Sequence, residues 1–343
     1  MKKNIFLWVA VFAVGAMSSC SVDKVVDQAE ARYIGFDAFA NKVTRTKPAD
    51  FPHENFGVWG AYNSATSVVF TNKTVTYQSG DGSWSYGTPE PWVSGQTYEF
   101  AAIAPYVNGA SYDYGTDKYT LNAITVDAAN QIDYMTATPI NNHPSGTSPV
   151  SFVFNHILSK IDFIFKPRTA SEDNTHWQSP VRIEITKIEL ADVPTTNTYA
   201  NDAWGELDTP GTNNATFTEG EGTSALVKTS YAGSGQPTPT GNTFDWLVVP
   251  QGTTSGEITK TLTITCDVYD NATSGGTLLK GNATASVGIK TSWAKNTYYT
   301  YTVSIGADIL GKNPYITFDV NSVQGWGGPE EGTVDVTPLT TKP

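Results

Sequence analysis

The feature that most constrains this chain is a side-chain alternation of period two that returns from one end to the other. Ile34, Phe36 and Ala38 share one face of YIGFDAF, and Ile161, Phe163 and Phe165 share one face of KIDFIFK. Val181, Ile183 and Ile185 alternate with Arg182, Glu184 and Thr186. The phase then flips to Ile188 and Leu190, which predicts a β-bulge or a strand that changes sheets. Tyr299, Tyr301, Val303 and Ile305 alternate with Thr300, Thr302 and Ser304, and Ile316, Phe318 and Val320 follow a turn at Pro314. Successive side chains of a strand point to opposite faces, so these runs read as half-buried strands. Turn clusters such as Ser79-Gly80-Asp81-Gly82 and 271–276 separate them. No amphipathic helix longer than a turn or two is expected. The pattern predicts an all-β chain of antiparallel β-sandwiches.

Length allows two such units, since 343 residues exceed an ordinary single domain. The stretch INNHPSGTSP, at 140–149, is rich in Pro, Gly, Asn and Ser and predicts a boundary near residue 150, to within some twenty residues. The expected organisation is residues 1–19 as a signal peptide, 20–32 as a linker, 33–150 as the first sandwich and 151–343 as the second.

The N-terminal residues carry an export pattern. Lys2 and Lys3 precede an apolar run from Ile5 to about Met17, then Ser18, Ser19 and Cys20. The run is too short for a permanent span. A thiol at the cleavage point is what a lipoprotein signal requires, so Cys20 is the expected lipidation site and the expected location is the outer membrane. The covalent lipid on Cys20 is the only non-protein group expected, with no cofactor. Cys266 is then alone and alternates in phase with Leu262, Ile264 and Val268, as a small buried apolar residue would.

Charge removes one class of partner. A formal net charge of −12 and a pI near 4.7 would repel phosphate backbones, and there is no basic stripe. Nucleic acid is therefore not an expected partner. His156 lies within an apolar strand and reads as a hydrogen-bonded core or interdomain residue. His53, His143 and His176 lack metal-ligand spacing. The run Tyr112-Asp113-Tyr114-Gly115-Thr116-Asp117 reads as a turn, because it lacks the spacing of a calcium loop. No nucleophile elbow, phosphate loop or HExxH motif is present, and no enzyme is expected. The Trp residues read as core first, although exposed ones could stack on sugars.

Several ordered segments resemble the fimbrillins of Bacteroidetes, the subunits of type V pili and their relatives. They are IGFDAF with Val43-Thr44-Arg45, FGVWGAY at 56–62, FTNKTVT at 70–76, and Pro91-Trp92 before YEFAAIAPY at 98–106. Asp133-Tyr134-Met135-Thr136-Ala137 and FVFNHILSKI at 152–161 are the most specific. Val249-Pro250-Gln251, WAKNTYYTY at 293–301 and Val323-Gln324-Gly325-Trp326 complete the series. Pro91 precedes Trp92 where the family pattern has the reverse order.

The resemblance implies two tandem transthyretin-like β-sandwich domains and a structural subunit of an adhesive pilus, built from neighbouring subunits. It also implies an arginine-specific protease that cuts after the first strand, with Arg45 as the expected processing site. The displaced strand would carry Ile34, Phe36 and Ala38. The C-terminal tail, with Val334, Val336 and Leu339, would be the donor strand, or else it folds back as in a capping subunit. A host glycan or protein receptor is a further partner the resemblance allows. The rival expectation is a monomeric glycan-binding surface lipoprotein, with a hydrolase behind it.

Overall fold

The computed structural model describes residues 33–40, 55–169, 176–205, 214–235, 237, 240–241, 245–250, 258–311 and 316–325. Among them every regular element is a strand except one short 3-10 turn, Ala307–Leu310. The chain is all-β, and its sheets pack as β-sandwiches around three apolar cores.

The first large sheet runs in the order Phe36–Ala40, Val150–His156, Met135–Ala137, Thr97–Ala104, Phe56–Tyr62, Ser67–Gln78 and Ser83–Ser85. Ile140–Pro144 also pairs with Thr97–Ala104. The strand Phe56–Tyr62 is buried on both faces, as its unbroken apolar sequence demands. Phe56 and Val58 enter a core with Phe70, Phe100, Phe152 and Phe154, while Trp59 enters another with Ala101 and Ile103. Gly60 is required between these layers. A Cβ there would lie 2.8 Å from ring atoms of both Phe70 and Phe100. The second face is covered by a small sheet, ordered Ala203–Trp204, Thr196–Ala200, Lys118–Thr125 and Ser111–Asp113.

The remaining strands form a sandwich. One sheet carries Thr240–Gly241, Ser159–Pro167, Thr297–Ile305 and Ile316–Gly325, with Trp246–Val248 also on Ser159–Pro167. The facing sheet carries Asn214–Glu219, Val181–Pro194, Ile258–Tyr269 and Leu278–Thr291, with Val227–Tyr231 also on Val181–Pro194. The alternating residues fill the space between them: Phe163 and Tyr301 from one sheet meet Ile183, Ile264 and Cys266 from the other. The phase flip resolves as a bulge within one sheet. The register slips between Ile185 and Lys187, and the extra residue, Thr186, is buried with its Oγ1 donating to the Thr265 carbonyl at 3.1 Å.

Two features refine the sequence expectation. First, the sheets are not purely antiparallel. Phe36–Ala40 runs parallel to Val150–His156, and Ser159–Pro167 runs parallel to Thr297–Ile305. Each pair joins segments more than 100 residues apart, and such excursions allow the parallel crossovers that a hairpin cannot make. Second, Val150–His156 pairs within the first sheet, and the chain enters the second sandwich only at Ser159. Residues 196–204 then return to the small sheet, where Thr196–Ala200 pairs with Lys118–Thr125. The change of sheet at Ser159 lies within the twenty-residue range given for the boundary near residue 150.

Candidate functional site

Among the described residues, the expected first strand occupies one edge of the first sheet. Its register places Phe36 opposite Val150, Ala38 opposite Phe152 and Ala40 opposite Phe154. Alternation decides which side chains it buries: Ile34 is 2% exposed, Phe36 4% and Ala38 9%. Phe36 is the anchor. Its ring centroid lies 5.5 Å from Phe70, 5.4 Å from Tyr86, 6.1 Å from Phe100 and 5.7 Å from Phe152. Edge-to-face and offset contacts of this kind add to the ordinary gain from removing apolar area from water.

The strand's other side is held by a latch that no sequence pattern announces. The Tyr86 hydroxyl donates to the Ile34 carbonyl at 2.6 Å and accepts from the Glu90 N–H at 2.9 Å. The Ile34 N–H donates to the Glu90 carbonyl at 2.9 Å. Burial pushes the Tyr86 phenol above its ordinary pKa, so it stays a neutral donor. Ser148 is a second hub. Its Oγ donates to the Tyr33 carbonyl at 2.8 Å and accepts from Trp92 Nε1 at 3.0 Å and the Gly35 N–H at 3.3 Å. The Val150 N–H donates to the Gly35 carbonyl at 2.8 Å. Both hubs lie in turn-like sequence, and nothing in the pattern marks them as partners of the first strand.

Asp37 alternates outward on this strand, and partial burial raises its carboxyl above the usual range. The expected residues Ile34, Phe36 and Ala38 are thus brought together with Phe152, Phe70, Phe100 and Tyr86. Cys20, Arg45, Val334, Val336 and Leu339 lie outside the described residues.

The other expectations find definite places. Cys266 is fully buried opposite Ile185, and burial pushes its thiol up to about 12, away from nucleophilic chemistry. His156 Nδ1 lies 2.8 Å from an Asp133 carboxylate oxygen, beside the passage from one sheet set to the other. Asp113 closes the turn before Lys118 by accepting from the Gly115 N–H at 2.8 Å and Thr116 Oγ1 at 2.9 Å. Trp59, Trp177, Trp204, Trp246 and Trp293 are buried, and the half-buried Trp84 and Trp92 make ring contacts with Phe56 and His143. No cluster of metal-ligating side chains occurs among the described residues. No helix among them is long and apolar enough to cross a membrane.

The chain thus combines β-sandwich units with a short strand seated over an aromatic groove at the end of one sheet. The chain belongs to the Fimbrillin-like family, whose model matches residues 44–325. The family's proteins are structural rather than catalytic. The fold is similar to a fimbrial protein from Bacteroides vulgatus, at 18% identity and a TM-score of 0.58, over 86% of this chain and 99% of that one. It is also similar to a candidate cell adhesion protein from Bacteroides ovatus, at 16% identity and a TM-score of 0.52, over 86% of this chain and 98% of the other. No curated protein matches the chain's sequence.

Proposed function

We propose that this chain is a structural subunit of a surface pilus, assembled when a protease removes its first strand and a neighbouring subunit supplies the replacement. Family membership and the fold shared with a fimbrial protein support the pilus role. The observation that carries the assembly reading is the position of Phe36–Ala40. It is an edge strand, its buried side chains fill a groove lined by Phe70, Phe100 and Phe152, and the chain continues from it into the polar segment that holds Arg45. Loss of the strand bares that groove and the unpaired backbone edge of Val150–His156. Such an edge recruits another strand by β-augmentation.

In this reading Cys20 carries the lipid that delivers the precursor to the outer membrane, and cleavage at Arg45 separates the anchor from the body. The tail segment with Val334, Val336 and Leu339 is the donor. Val334 and Val336 share a face, and Pro338 places the end of the pairing at a strand terminus.

The test is digestion of the unlipidated protein with an arginine-specific protease, followed by intact mass and size-exclusion chromatography. Removal of the first strand followed by a ladder of multimers is the expected result. A variant lacking residues 326–343 should be cut equally but remain monomeric. Multimers formed without that tail would overturn its donor role, and a cut product that stays monomeric with the tail present would overturn strand exchange.

A further inference from the structure

Among the described residues seven large apolar side chains are exposed, between 38% and 56%, and six of them gather at two places. Single exposed apolar residues are ordinary on a protein surface, whereas their concentration marks a contact site.

The strand register locates both groups. The chain passes from the first unit to the second sandwich at Ile157 and Leu158, between Val150–His156 and Ser159–Pro167. In the first unit Met135 lies opposite His156, and Ala104 opposite Met135, at the end next to this crossing. Val150, Tyr62 and Tyr98 lie at the other end of the same strands. Tyr33 bridges to Pro91, the Val93 N–H donates to the Tyr98 hydroxyl at 2.8 Å, and Val68 sits opposite Ala61, beside Tyr62. The exposed Tyr33, Val68 and Val93 therefore ring the far pole of the first unit.

In the second sandwich Ser159 and Thr297 lie at the crossing end, and Pro167 and Ile305 at the far end. The turn Ala307–Leu310 follows Ile305 directly. Lys280 Nζ donates to the Ile309 and Gly311 carbonyls, each at 3.0 Å, which ties the start of Leu278–Thr291 to that turn. The exposed Leu278, Leu279 and Leu310 therefore share the far pole of the second sandwich. The seventh side chain, Val153, lies in the middle of its strand, away from both poles.

Two unlike patches at opposite ends of one chain fit a heterologous contact, in which the head of one copy meets the tail of the next and a row of copies results. The length of the tail agrees with that order. Gly325 lies opposite Thr297, at the crossing end, and 18 residues follow it. Extended chain advances about 3.3 Å per residue. The nine residues from 326 to Val334 therefore match in length the nine of Thr297–Ile305. A tail laid back along the second sandwich would reach its far pole at Val334. The groove of the next copy opens at the matching place, because Phe36 lies opposite Val150 at the far pole of the first unit.

We propose that the far pole of the second sandwich, through Leu278, Leu279 and Leu310, docks on the far pole of the first unit of a second copy, through Tyr33, Val68 and Val93. The inference rests on the subunit reading above and adds to strand exchange a surface contact that forms between intact chains. Val68 and Val93 keep it in place once the first strand has gone. Three apolar side chains on each side fall well short of the roughly 20–30 residues a side of a stable interface, so the contact is transient alone. It sets the order of the copies and raises the effective concentration of a donor at its groove.

The test mixes two forms of the intact, unlipidated chain, each carrying Cys20→Ser. One has Val93→Cys and a size tag, and the other has Leu310→Cys. Cys266 is fully buried and does not compete. A bismaleimide joins thiols that meet, and intact mass resolves the products. Links between unlike forms should exceed their random share by roughly 5-fold or more. A random mixture of like and unlike links would overturn the inference, as would an excess of like links. Adding Leu278→Asp and Leu279→Asp to the Leu310→Cys form changes only exposed side chains and should return the links to the random share. An undiminished excess in that form would equally overturn the inference. The two readings fail separately. Unlike links without multimers after digestion refute strand exchange alone, and multimers without an excess of unlike links refute pole docking alone.

Discussion

The two parallel pairings among the described residues use the same hydrogen-bond geometry to opposite ends. Ser159–Pro167 is matched to Thr297–Ile305 over nine positions, and it has further partners on its other edge at Thr240–Gly241 and Trp246–Val248. Phe36–Ala40 is matched to Val150–His156 over five positions and forms one end of its sheet. The first strand's free side is met by hydrogen bonds from Tyr86 and Glu90 rather than by a full ladder. A strand in the middle of a sheet cannot leave without breaking two ladders. The proposed strand exchange asks Phe36–Ala40 to leave while the rest stays folded, which means breaking one short ladder and a few side-chain latches. In that reading removability comes from topology and not from weak packing, because Phe36 is nearly as well buried as Phe163.

Matched truncations of those two rings put the contrast at risk most directly. Phe163→Ala and Phe36→Ala should each cost about 3–5 kcal/mol in contacts, since both remove a buried aromatic side chain. Phe163→Ala should spend that loss globally, lowering the unfolding midpoint of the second sandwich. Phe36→Ala should spend it locally. Hydrogen exchange should accelerate in Phe36–Ala40 and in Val150–His156 while amides of Ser159–Pro167 keep their protection. Equal loss of protection in both regions would show that the first strand is part of the global fold and not a separable element.

A smaller effect sharpens the comparison through pH. Lys260 alternates inward in Ile258–Tyr269 and is fully buried, with Nζ 5.3 Å from the Trp293 ring centroid and no hydrogen-bond partner among the described residues. Burial depresses its pKa to about 8, with Asp192 opposing part of the shift. A lysine depressed in the folded state weighs against folding below that value, because the buried ammonium is charged. The penalty is relieved as pH rises from about 8 toward the unfolded value. Lys260→Met should therefore stabilise the protein at neutral pH, by about 3 kcal/mol at most. It should also abolish the rise in stability that the natural chain shows between about pH 8 and about pH 10. Thermal melts of both proteins across that range check the sign, and a destabilised variant at neutral pH would show that the ammonium has a role the cation–π contact alone does not explain.

Much of this was legible in the sequence, and the boundary of legibility is physical. Alternation marked the strands, the phase flip marked the bulge at Thr186, and the in-phase Cys266 marked a core thiol, because each is a local consequence of the two-residue repeat. Partner choice was not local. The parallel register of Phe36 on Val150 is fixed by rings that arrive from Ser67–Gln78, Thr97–Ala104 and Val150–His156, and no short window contains them. Tyr86 and Ser148 looked like turn residues for the same reason. The Pro- and Gly-rich stretch before residue 150 feeds the strand that receives Phe36–Ala40, and the change of sheet follows a few residues later, at Ser159. Residues 196–204 gave no sign of crossing back to the first unit, since a strand's sequence states that it pairs but not with which sheet.

The smallest expected effect concerns Asp37, and it runs opposite to that of Lys260. The carboxyl is held above its ordinary pKa by burial in the seated strand, whereas in a released strand it faces water. The seated state therefore binds more protons than the released one in the window between the ordinary carboxylate value and the raised one. The strand is held most tightly below that window, and its hold weakens as pH rises through it. At neutral pH the full desolvation penalty acts, which favours release. Asp37→Asn removes the charge while keeping the size, so it should tighten the strand at neutral pH and erase the pH dependence in the acid range. The measurement is hydrogen exchange of the first-strand amides in natural and variant proteins, at neutral pH and near the ordinary carboxylate value, corrected for intrinsic rates. Looser first-strand amides in the variant at neutral pH would show that Asp37 stabilises the seated strand as a carboxylate. The strand's readiness to leave would then rest on its edge position alone.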